Sequence, residues 1–201
     1  MTSADRQPVL VGVGQITQRE PDPRAALGPL DLMAAAARAA AEDSGAGSAL
    51  LSTLDQLTVI RLFADTSPRF VSPFGKQGNP PASVARRIGA AHVRQHVYTW
   101  PGGNMPQYCL NRLGEAITRG KVDAALVVGA EALSTQKTAQ RQGVQLDWSD
   151  DPGGHFDAWG MSRRGWSDLE DRHGLRAAIT AYPLFEHAIR GRLGRTVTQH
   201  Q

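Results

Sequence analysis

Up to Leu133, apolar β-rich runs alternate with stretches of helical pattern, and this alternation limits the possible folds more than any other feature of the chain. "PVLVGVGQI" at 8–16, "LDQLTVIRLF" at 54–63, "RQHVYTW" at 94–100 and "VDAALVVGAEAL" at 122–133 read as strands. Between them, "PLDLMAAAARAAAEDSGAG" puts Leu30, Met33, Ala34 and Ala37 on one stripe and stops at Gly45. "NPPASVARRIGA" at 79–90 starts a short helix at Pro80 or Pro81, and residues 105–119 form a third helix. The first is a β-branched run broken by Gly12 and Gly14, which suits a strand covered on both faces, and the last is nearly all apolar. Strand and helix in alternation call for an α/β fold: a mostly parallel mixed sheet covered by helices on both faces.

Two stretches depart from this rhythm. "ADTSPRFVSPFGKQG" at 64–78 is rich in Pro, Gly and Ser and is too long for a bare connection, so it either has a role or crosses to a partner. After Leu133 the chain turns polar and rich in Trp and Gly, and no further apolar strand is expected. Residues 1–133 therefore read as an N-terminal α/β domain, and residues 134–201 as a largely helical and irregular loop region over its surface. Near the end, Ile179, Tyr182, Leu184, Phe185, Ala188, Ile189 and Leu193 give "RAAITAYPLFEHAIRGRLG" an apolar face, with Pro183 expected to kink or delay the helix.

Composition removes several function classes. Apolar residues make up 41% and charged residues 20%, which is ordinary for a folded protein and unlike a disordered one. The 22 basic residues are interleaved with 19 acidic ones, a net charge of +3, so no basic face for nucleic acid is expected. Even the arginine-dense "RRGWSDLEDRHGLR" at 163–176 carries acidic residues within it and reads as a solvated surface. A single cysteine, Cys109, excludes an internal disulfide and disfavours a cysteine metal site, as a reducing cytoplasm would have it. No stretch approaches the ~18 apolar residues of a membrane span, and a cytoplasmic location is expected.

The ordered set "PVLVGVGQI", "GGNMPQ", "AITRGKVDAALVVGAEA" and "HGL…YPLFEHAIR" resembles the N-terminal half and loop region of the thiolase superfamily, and is similar to its thiolase-like acetyl-CoA acetyltransferases. The resemblance covers nearly the whole chain and rests on the order and spacing of all four segments. It implies acyl transfer between coenzyme A thioesters, in lipid and acyl-CoA metabolism, with the thioester as substrate and no separate cofactor. It also implies a two-half αβαβα sandwich, with a nucleophilic cysteine at a helix start in the first half and further catalytic groups from the second. A thiolate suits that place, because unpaired N–H groups and the helix dipole lower its pKa.

Measured back from Ala116 and Ile117, the family's nucleophile position falls on Gly103 in "PGGNM", with no serine or threonine nearby in its stead. Cys109 lies further inside the helix, on the face of Leu113 and Ala116, and reads as a structural core residue whose burial would raise its pKa. No catalytic residue is therefore assigned. Gly102, Gly103 and Asn104 are assigned to substrate binding: the glycines allow a tight strand-to-helix turn, and they also leave backbone N–H groups to face an anion or a thioester carbonyl.

The remaining candidates are read as ordinary. His155 and His173 are taken as surface histidines, and "DDPGGHFD" as a solvated loop rather than a metal site. Trp148, Trp159 and Trp166 either line a pantetheine or adenine site or pin the loop region to the sheet. Gly12 and Gly14 do not make a dinucleotide entry, since the third glycine is missing.

Four strands alone would leave an apolar sheet face bare, so company is expected: a separately encoded thiolase-like second half, a longer parent, or a homodimer. The resemblance places the dimer edge at "RQHVYTW". The expected function is a thiolase-like acyltransferase that is catalytically impaired, or alternatively a non-catalytic subunit or acyl-CoA-binding module.

Overall fold

The computed structural model of the chain describes residues 6–161 and 165–200; Arg163 and Arg164 of the arginine-dense stretch lie outside them. Its compact units are Met1–Met161 and Ser162–Gln201.

In the first unit, strands β1 (Gln56–Val59), β2 (Gln95–Thr99), β3 (Ala125–Val128) and β4 (Asp157–Trp159) form one sheet in the order β3-β1-β2-β4, every pair parallel. Parallel strands need helical crossovers. These come from α3 (Pro80–Arg87), α4 (Met105–Thr118) and α5 (Leu133–Gln142), while α1 (Pro29–Asp43) and the short α2 (Ser48–Leu51) precede β1. Helix α1 carries Pro29 in its first turn and ends at Ser44 before Gly45, whose φ of 77° suits glycine. Helix α3 starts where the proline pair requires, with the Asn79 side chain accepting from the Ala82 N–H at 3.2 Å.

The central strand β1 is buried at all four residues. On one face Leu57, Val59 and Tyr98 pack with Met33, Ala34 and Ala37 of α1 and Val84 and Ala85 of α3. Small residues on α1 let that helix sit close to the sheet. Alternation sends Gln56, Thr58, Val97 and Thr99 to the other face, which α4 covers, with Cys109 and Leu113 buried.

Several expectations are corrected here. Residues 8–16 form no strand: they have no backbone partner in a sheet, and Val9 and Leu10 are 69% and 74% exposed. The reason lies in the two glycines, since a β-carbon at Gly12 would run into the Ala40 carbonyl, and one at Gly14 into Ala36 and Ala40. The segment therefore rides on α1 instead of lying in the sheet. Arg6 tethers its start to the Ile117 carbonyl and Asp123, and its Val13 N–H donates to Asp43 at 2.9 Å.

The fourth strand comes instead from the polar region after Leu133. β4 pairs with β2 through Val97–Thr99, the Trp100 N–H donates to the Trp159 carbonyl at 2.7 Å, and Phe156 stands edge-on to Tyr98. The edge of β2 expected to be free for a homodimer is thus occupied. The same region also holds α5, closed by Gly143 in the left-handed conformation, and beyond it Val144 packs with Phe74 and Ala139.

In the second unit, α6 (Asp168–Arg172) has a reciprocal cap between Ser167 and Glu170. Helix α7 (Ala178–Arg192) passes through Pro183 without ending, and α8 (Val197–His200) follows. None of residues 165–200 is buried, and Ile179, Tyr182 and Phe185 stand out on α7.

Candidate functional site

Open parallel sheets gather ligands at the carboxyl ends of their strands. Here the turn from β2 into α4 lies at that end, and Pro101, Gly102, Gly103 and Asn104 are all exposed. Neither glycine has a positive φ, and a β-carbon at Gly103 would meet nothing within 4 Å. At Gly102 a β-carbon would come 2.6 Å from the Asn104 side-chain oxygen, a group able to rotate away. The turn itself therefore does not demand glycine at 103, contrary to the tight-turn reading, and the residue leaves an open space at the helix start. Asn104 is the N-cap of α4 but its side chain makes no capping bond, and among the described residues the N–H groups of Gly103 and Asn104 have no backbone acceptor. Both residues are exposed, at the positive end of α4.

Cys109 has no such opening. It is fully buried, and burial pushes its thiol up to about 11, against a smaller lowering effect of the Arg112 guanidinium. At neutral pH it is a protonated, enclosed thiol.

Beside the turn lies a polar network that the linear sequence did not announce. Arg61 donates from Nε to the Thr99 carbonyl at 2.6 Å, and its guanidinium lies over the Tyr98 ring at 4.3 Å. The Tyr98 hydroxyl donates to Asp65 at 2.6 Å and accepts from the Leu62 N–H at 3.0 Å. Glu131, just after β3, accepts from the Phe63 N–H at 2.6 Å. Burial and the neighbouring Asp65 push the Tyr98 hydroxyl up, and desolvation, with Asp65, pushes the Glu131 carboxyl up. The network ties the ends of β1, β2 and β3 together. Its members are scattered from 61 to 131, in segments that read separately as strands and a long loop, and nothing in their spacing relates them.

The other candidates fall apart spatially. His155 is exposed and faces Asp157 at 3.3 Å, and His173 caps α6 in the second unit. Among the described residues no three His, Cys, Asp or Glu side chains gather as a metal site would need. Trp148 stands edge-on to Phe74, pinning its loop, and the Arg112 guanidinium lies 4.6 Å from the Trp159 ring centre. No helix among the described residues is long and apolar enough to cross a membrane.

No protein-family model matches the chain, and no curated protein does. Among solved structures it is similar to a monomeric SCP2-thiolase-like protein type 1 from Mycobacterium smegmatis, with 28% identity and a TM-score of 0.59 over 97% of this chain. The fold is thiolase-like. This chain spans 32% of the length of that protein. In this fold the turn at 102–104 stands at the carboxyl end of β2.

Proposed function

We propose that the chain is a thiolase-like module of acyl-CoA metabolism that presents a thioester-binding turn and lacks thiolytic chemistry of its own. One observation carries this reading: the helix start at which the family's nucleophile would stand has Gly103 in open space, while the only sulfur nucleophile, Cys109, is enclosed. The free N–H groups of Gly103 and Asn104 are suited to a thioester carbonyl, which is an acceptor and carries no charge to desolvate. The test is incubation with acetoacetyl-CoA and coenzyme A while the substrate absorbance is followed. No turnover is expected, and turnover that disappears in Cys109→Ala would overturn the proposal.

The alternative role, a non-catalytic subunit completed by a thiolase-like second half, is favoured by the exposed row Val9, Leu10, Val11 and Val13. Sedimentation distinguishes this from the homodimer: with β4 on the β2 edge, the chain alone should remain a monomer as its concentration rises.

A further inference from the structure

A cavity of about 200 Å³ lies at the amino-terminal ends of β1 and β2, the opposite end of the sheet from the 102–104 turn. Gln56 and Gln95, the first residues of those strands and partners in register, line it with the second half of α4 and Trp159 of β4. Three cations face it, Arg112, Arg119 and Lys121, against one carboxylate, Glu115. That carboxylate is already engaged by Arg119 at 2.6 Å. Among the described residues Arg112 donates only to the Tyr108 hydroxyl, at 3.1 Å, and Lys121 to nothing, so neither charge has a counterion. Arg112 is nonetheless held in place, its guanidinium 4.6 Å from the centre of the Trp159 ring. Gln56 is the buried member of the site. Only 2% of it is exposed; its Nε2 donates to the Thr58 hydroxyl at 3.0 Å, and its Oε1 accepts no hydrogen bond among the described residues. An amide on a central strand with half of its bonding capacity unmet is costly unless something in the cavity completes it.

The lining selects the ligand. Two uncompensated cations, one on the helix and one beyond its end, call for negative charge at two ends of a molecule rather than one compact anion. Ala116, Val122 and Trp159 supply an apolar wall for a short carbon chain. The Gln56 amide calls for a hydroxyl, which can both donate to it and accept from it. We propose that this cavity binds a short hydroxydicarboxylate anion, its two carboxylates on Arg112 and Lys121 and its hydroxyl on Gln56. The proposal stands apart from the acyl-CoA reading, since it uses neither the 102–104 turn nor a thioester.

Three probes with the same four-carbon chain test it, malate, succinate and butyrate, with inorganic phosphate as the compact anion. Each is titrated into the isotope-labelled full chain at pH 7 and constant ionic strength, and the amide signals of Gln56, Lys121 and Val122 and the Trp159 indole N–H are followed by NMR. Malate should move them in a saturable way. Succinate, which lacks the hydroxyl, should bind about fivefold more weakly, and butyrate and phosphate at least about tenfold more weakly. Arg112→Gln and Lys121→Gln should each weaken malate at least about tenfold. Arg141→Gln, which removes the same charge outside the lining, should leave malate binding unchanged. Gln56→Leu should bring malate down to the level of succinate. The proposal fails if malate gives no saturable shift, if butyrate or phosphate matches it, or if Arg141→Gln weakens it as much as the lining variants do. Should Gln56→Leu not fold, the comparison of malate with succinate on the unaltered chain decides the hydroxyl contact, and equal binding overturns it.

Discussion

Gly103 and Cys109 flank the first turns of α4 and meet opposite surroundings. At 103 a β-carbon would touch nothing, with uncapped N–H groups beside it; at 109 a sulfur is sealed against the sheet. Thiol chemistry needs access and a stabilised thiolate, and packing needs neither. The chain has placed its sulfur where it fills space and left hydrogen where it could react. A cysteine count alone would have pointed to the wrong end of the helix.

The contrast is broken most directly by supplying what position 103 lacks. Gly103→Cys should fold and react with iodoacetamide at pH 7 at least about 10³-fold faster than Cys109, since a thiol near 11 is thiolate in only about one molecule in 10⁴. Peptide mass mapping of the alkylated double-cysteine chain reads both sites at once, and equal labelling would refute the difference in environment. Next in size, Cys109→Ala should cost about 1–2 kcal/mol in urea unfolding, because it opens a void in a closed layer.

The pH dependence sharpens the same point. Burial raises the folded-state thiol from an ordinary 9.0 to about 11, so the folded state favours the protonated form. The stability linked to that proton is complete below pH 9 and is lost as the pH rises through about 11. Between those values the melting temperature of the parent should fall more than that of Cys109→Ala, with parallel curves counting against burial as the cause. The smallest effect belongs to Gly103→Ala. With no positive φ and no neighbour for the methyl group, it should change stability by no more than about 0.5 kcal/mol, or raise it slightly by restricting the unfolded chain.

Much of the fold was legible residue by residue. The runs at 54–63, 94–100 and 122–133 hold the shorter β1, β2 and β3, the proline pair started α3, Gly45 followed α1, and Cys109 fell on the buried face of α4. The failures share a cause. "PVLVGVGQI" has the composition of a strand, yet Gly12 and Gly14 permit a backbone approach to α1 that no periodicity encodes. "DAW" at 157–159 is too short and polar to read as a strand and became one because the edge of β2 offered it partners. Likewise Asp65, Tyr98 and Glu131 show their relation only when three strand ends converge.

The sequence by itself determined which faces are apolar, where helices start and stop, and that residues 101–104 hold no nucleophile, because these depend on side-chain identity and spacing along a few turns of chain. Tertiary structure alone decided which segment closes the β2 edge and that 8–16 lies on a helix. Those outcomes turn on backbone groups that are chemically alike everywhere in the chain, so only the packing of distant residues can choose among them.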